Sequence, residues 1–222
     1  MSESPERYFW PDVPRICFGA GEPAHLNANV GWVRSQRGDT ALGTYAAGYR
    51  DAACVLFESL DRVGGIWTDV ALFPIAFLWR HHIELLLKDI ISRGRRLNGD
   101  KAVFPTHHNL DNLWKAAKPY VMQCGPEDAV EDAPEVSNVE ANIHECARID
   151  PESFTFRYST KRDGSESLPN GLDCVNLRAL HEGMCAVATF LSGVSGVLAD
   201  RQQYVWNQEA KAEADAEAER QE

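Results

Sequence analysis

A chain of 222 residues with 44% hydrophobic content is long enough for one generous domain with a packed core. Its formal charge of −11 leaves no global basic field for nucleic acid, so any RNA contact needs a local patch. The start, MSESPERYFW, has no basic segment followed by an apolar one, and Arg80, His81, His82, Glu84 and Lys88 interrupt the one long apolar run. The expectation is a cytoplasmic protein with no membrane span.

Residues 1–38 hold aromatics, prolines and glycines without a sustained period. They read as an N-terminal arm with short strands near 15–18 and 29–33, able to pack on the bundle or embrace a second subunit. From 40 to 62, Leu42, Tyr45, Ala46, Tyr49, Ala53, Leu56 and Leu60 recur at helical spacing, and Gly64 and Gly65 end the pattern. The run Leu72–Arg93 is apolar on nearly every side, the signature of a core helix. Pro74 fits its first turn, or kinks it if the helix begins earlier.

Two polar arcs interrupt that core helix. His82, Asp89 and Arg93 form a narrow arc expected to face solvent. Arg80, His81, Glu84 and Lys88 share the other. Burying those charges is costly unless they pair. One reading is an i, i+4 ladder of salt bridges; the other is a functional polar site.

Asn109 or His108 can cap a short helix from Leu110 to Ala117, which Pro119 is expected to stop. Residues 125–135 are acidic and proline-bearing, so Asp128, Glu131 and Asp132 read as a solvated loop. A helix is expected over 136–148. Phe154, Phe156 and Tyr158 then alternate with polar residues, and Asp163-Gly164 is a turn signal, so an extended segment or small hairpin is expected. A long helix fills 174–206. The acidic stretch 207–222 reads as a helical or frayed tail. The domain reading is thus an arm at 1–38, a helical bundle at 39–206 and a tail at 207–222, in an all-α fold.

Six cysteines form no CxxC pair, and no Cys/His spacing matches a zinc site. They read as reduced thiols, and neither a structural metal nor a cofactor is expected.

Four motifs stand in order: LWRHHIELLLKDI, THHNLDNLW, ARIDPESFTFRYSTKRDG and VNLRALHEGMCAVATFLSG. Together they resemble a prokaryotic branch of the HEPN superfamily over roughly residues 70–192. The resemblance implies an up-and-down helical bundle, usually a homodimer, in defence, stress or toxin–antitoxin systems. Some members are metal-independent ribonucleases; others are non-catalytic modules that bind RNA, nucleotides or protein partners. The nuclease members carry an arginine, four to six residues and a histidine near the last helix. No arginine here has a histidine at that spacing; Arg178 to His181 is too short.

If cleavage occurs, its chemistry needs acid–base histidines and a cation for the charged phosphorane. The candidates are Arg80, His81, Glu84 and His108 for catalysis, and Lys88, His107, Arg157 and Tyr158 for phosphate or RNA. The leading expectation is a non-catalytic or weakly catalytic interaction module. A ribonuclease with an atypical Arg/His site and a nucleotide sensor are the alternatives. A protein partner would meet the N-terminal arm or the acidic tail.

Overall fold

The structure, a computed structural model, describes residues 25, 28, 39–63, 65–101, 104–125 and 133–220. The arm expected at 1–38, including its two short strands, lies outside the described residues, as do Asp128, Glu131 and Asp132. The chain divides into two units, Met1–Ser35 and Gln36–Glu222. The second holds six helices among the described residues: α1 Asp39–Glu58, α2 Leu60–Val63, α3 Ile66–Leu97, α4 Leu110–Cys124, α5 Pro134–Ile149 and α6 Leu177–Glu219.

The architecture is an all-α helical bundle organised around α3. That helix touches α1, α4 and α6, while α5 closes against α4 and α6. Ile75, Trp79, Ile83, Leu87, Ile90 and Ile91 are all at most 2% exposed, so α3 meets neighbours on several sides. Each such side chain contributes roughly 1.5–3 kcal/mol by leaving water. Ala46 and Ala53, two turns apart on α1, are fully buried and let that helix approach closely. On α4, Leu110, Leu113, Trp114, Ala117 and Val121 form the inward stripe. Gly94 of α3 lies against the Tyr120 ring of α4, where a Cβ would collide with the ring.

Several boundaries differ from the sequence expectation, each for a local reason. α3 starts at Ile66, so Pro74 lies inside it. The proline leaves the Val70 carbonyl without its helical donor. Val70 is 47% exposed, which lets water serve instead. Pro119 likewise sits on the exposed side of α4 and does not stop the helix, which runs on to Cys124. Asn109 caps α4 by accepting from the Asn112 amide at 3.0 Å, and Asn176 caps α6 through the Arg178 and Ala179 amides.

The alternating Phe154–Tyr158 stretch forms turns, with no strand among the described residues. Only Thr160 and Glu166 pair, across the Asp163-Gly164 turn. The acidic tail continues α6 to Glu219 with its side chains in solvent.

The expected solvent arc of α3 is also corrected. His82 and Asp89 are 1% and 0% exposed. His82 Nδ1 donates to the Ala46 carbonyl of α1 at 2.8 Å. Asp89 binds Arg93 at 2.8 Å and accepts from the Ser195 hydroxyl of α6. Polar partners on the neighbouring helices permit that burial.

Finally, α3 and α6 are each long and apolar enough to cross a bilayer. Composition therefore does not exclude a span as expected. More than half of the apolar window of α3 and a third of that of α6 are buried inside the bundle.

Candidate functional site

Arg80, Glu84 and Lys88 follow one another at i, i+4 on α3 and therefore share a face. All three are buried, at 2%, 1% and 5% exposure. Glu84 binds Arg80 Nη1 through Oε2 and Lys88 Nζ through Oε1, both at 2.8 Å. His108, in the loop before α4, brings Nδ1 to Glu84 Oε1 at 2.7 Å. Its backbone carbonyl accepts from Arg80 Nη2 at 2.6 Å.

The remaining edge of the Arg80 guanidinium faces Asp150. Nε donates to the Asp150 carbonyl at 3.1 Å and lies 3.1 Å from Oδ2. Asp150 itself is fully buried and accepts the Phe154 and Thr155 amides through Oδ1 at 2.6 and 2.9 Å. That turn places Ser153 at φ 57, a conformation few non-glycine residues adopt. Two cations thus face two carboxylates, tying α3 to the α4 cap and to the segment after α5. Burial works to raise the Glu84 carboxyl. Hydrogen bonds from Lys88, His108 and Arg80 more than offset it, so Glu84 ionises more readily than usual.

His108 is the exposed rim of this network, its side chain 54% accessible. Lys88 lies 5.9 Å from the Phe104 ring, also at the rim. His107 is exposed on the same loop.

His81, although adjacent to Arg80, belongs to a second cluster. It meets Tyr49 of α1 edge-on at 4.4 Å and stacks on Phe77 at 5.7 Å. Burial lowers its pKa, favouring the neutral ring. The Arg157 guanidinium stands 5.7 Å from the Phe77 ring and 5.6 Å from that of Tyr158, which stacks on Phe154 at 4.5 Å. Arg157 Nε donates to the Ser153 carbonyl at 2.6 Å, leaving the outer nitrogens of the fork toward an exposed surface. Tyr158 is 53% exposed. Tyr49, His81, Phe77, Arg157, Tyr158 and Phe154 therefore make one continuous ribbon of rings broken by a single cation.

The eight candidate residues fall into two places. Arg80, Glu84, Lys88 and His108 converge, with His107 beside them. His81, Arg157 and Tyr158 form the ribbon. Asp150 was not among the candidates. Asp150-Pro151, with Ser153 two positions on, is a turn-initiating sequence, and that signal marks Asp150 as a capping acceptor.

A cavity of about 300 Å³ also opens between α3, α5 and the start of α6, lined by Leu72, Trp79, Cys146, Phe156 and Met184 among others. Burial pushes the Cys146 thiol up to about 12, so it remains protonated at neutral pH and is a poor nucleophile.

No family model, curated protein or solved structure matches the chain.

Proposed function

We propose that this protein is a non-catalytic binding module for single-stranded RNA or a nucleotide, held at the aromatic ribbon. The observation that carries the reading is Arg157, whose fork stands exposed between the Phe77 and Tyr158 rings. Rings stack bases whatever their sequence, and a guanidinium grips phosphate with two parallel donors. A net charge of −11 disfavours long polyanions, so the ligand is short or is gripped at one end.

The buried network supports the non-catalytic part. Arg80 spends Nε, Nη1 and Nη2 on protein acceptors and is 2% exposed, so it has little left to offer a phosphorane. The missing Arg–His spacing agrees, as does the resemblance to HEPN proteins, which include such modules. Five described cysteines are free thiols, in keeping with a cytoplasmic setting. The same resemblance implies a homodimer, and Ile66, Val70 and Phe73 form an exposed apolar stripe on α3 suited to it. Sedimentation should show a dimer that Val70→Glu converts to monomer; a wild-type monomer removes the dimer from the reading.

A ribonuclease is the second reading, favoured by one feature: His108 is accessible and oriented by the buried Glu84 carboxylate, as a general base would be. One experiment separates the two. Fluorescent oligoribonucleotides and ATP are titrated into wild type, Arg157→Ala and Tyr158→Ala, and the same RNA is incubated in EDTA with wild type and His108→Ala. The expectation is binding weakened about tenfold or more by either ribbon variant, consistent with a stacking contribution of roughly 1–3 kcal/mol, and intact RNA throughout. Binding unaffected by both variants sinks the ribbon. Cutting by wild type that His108→Ala abolishes installs the nuclease.

A further inference from the structure

Cys54 on α1 and His181 and Cys185 on α6 bring one ligand atom each to within 4.8 Å of one another. His181 and Cys185 are four residues apart, so they share a face of α6. That face meets α1 where Cys54 points across, so the two sulfurs stand within 4.8 Å of each other. The His181 ring is fixed from two sides. It stacks on Phe57 with centroids 4.0 Å apart and nearly parallel planes, and Trp79 meets it edge-on at 5.4 Å. Its Nε2 consequently lies 3.5 Å from Cys185 Sγ.

We propose that Cys54, His181 and Cys185 form a zinc site. The Cys185–His181 separation is the one the ion requires, and Cys54 Sγ lies within 4.8 Å of both. With zinc–sulfur and zinc–nitrogen bonds of about 2.3 and 2.0–2.1 Å at a tetrahedral angle, sulfur and nitrogen stand roughly 3.6 Å apart. The ligand chemistry also fits. Two thiols and an imidazole are the soft and borderline donors zinc prefers over the hard cations. Binding displaces one proton from each thiol, giving two thiolates, a neutral histidine and a dication with no net charge. The three ligands leave the fourth corner of the tetrahedron to water or an incoming group, the pattern of a reactive rather than a purely structural centre. Because both thiols must shed their protons to ligate, affinity climbs with pH as zinc competes with protons. The site ties α1 to α6 across the bundle. No zinc-like spacing marks it in the sequence, because Cys54 and the α6 pair come from distant parts of the chain.

The test uses the full chain, reduced and stripped with a chelator, titrated with Co²⁺ and then Zn²⁺. One cobalt per chain is expected, with a thiolate-to-cobalt charge-transfer band that zinc bleaches. The band should vanish in Cys185→Ser and survive in Cys174→Ser. In wild type, zinc should shield Cys54 and Cys185 from iodoacetamide while exposed Cys174 labels unchanged, a readout independent of whether any variant folds. Absence of the band, a band retained in Cys185→Ser, or zinc that leaves Cys54 and Cys185 labelling unaltered would overturn the site. Protection without metal that a stronger reductant removes would also overturn it, as the mark of a Cys54–Cys185 disulfide.

Discussion

Glu84 is the residue on which the buried charges depend. Its two oxygens meet Arg80, Lys88 and His108, and the Lys88 ammonium has besides it only the face of the Phe104 ring among the described residues. Removing one member of a buried ion network leaves the others desolvated and uncompensated, which typically costs about 3–5 kcal/mol. Glu84→Gln keeps the shape and removes the charge. It should therefore destabilise the fold by an amount of that order, read from the denaturant midpoint. A variant as stable as wild type would mean the network is not structural and would reopen a chemical role for Arg80. This network was partly legible in the sequence: spacing put Arg80, Glu84 and Lys88 on one face. The arrival of Asp150 and the His108 carbonyl was not, because both come from loops whose path depends on packing.

At the level of helices, the α1–α3 contact carries a pH dependence. Burial pushes His82 down to about 4 from its usual 6.5, the hydrogen bond to the Ala46 carbonyl offsetting part of that. The folded state thus binds the proton less readily than the unfolded chain. Stability from this residue is complete above pH 6.5 and declines as pH falls toward 4, by up to roughly 3 kcal/mol. Melting temperature measured from pH 7 to 4.5 should fall, and His82→Asn, which can keep a donor toward Ala46, should flatten the fall. An unchanged slope in that variant would assign the acid sensitivity elsewhere. The sequence placed His82 on a solvent arc, because a helical projection cannot know that α1 covers this face with small residues. The same blindness explains the two prolines: Pro74 and Pro119 read as punctuation, yet both lie on exposed sides where water can take the freed carbonyl.

For the molecule as a whole, the core ends well before the chain does. Leu198 and Gln202 are the last buried side chains of α6, and beyond them the helix stands in solvent. The final stretch of the sequence, 208–222, carries six acids and two bases. Deleting it should leave unfolding stability within about 0.5 kcal/mol of the full chain, as for exposed surface changes. A larger loss, measured by equilibrium denaturation, would show that the tail packs on something.

Helix content, the central role of α3 and the all-α class could be read directly from the chain. They follow from local rules: a 3.6-residue period, an apolar surface that must be covered, and cap residues such as Asn109 and Asn176. The aromatic ribbon, the closing of the charge network by Asp150 and the Cys54–His181–Cys185 cluster were decided only by the tertiary structure. Each joins residues from separate elements, and sequence spacing carries no information about which faces of two helices meet. That choice is made by the summed packing of the core.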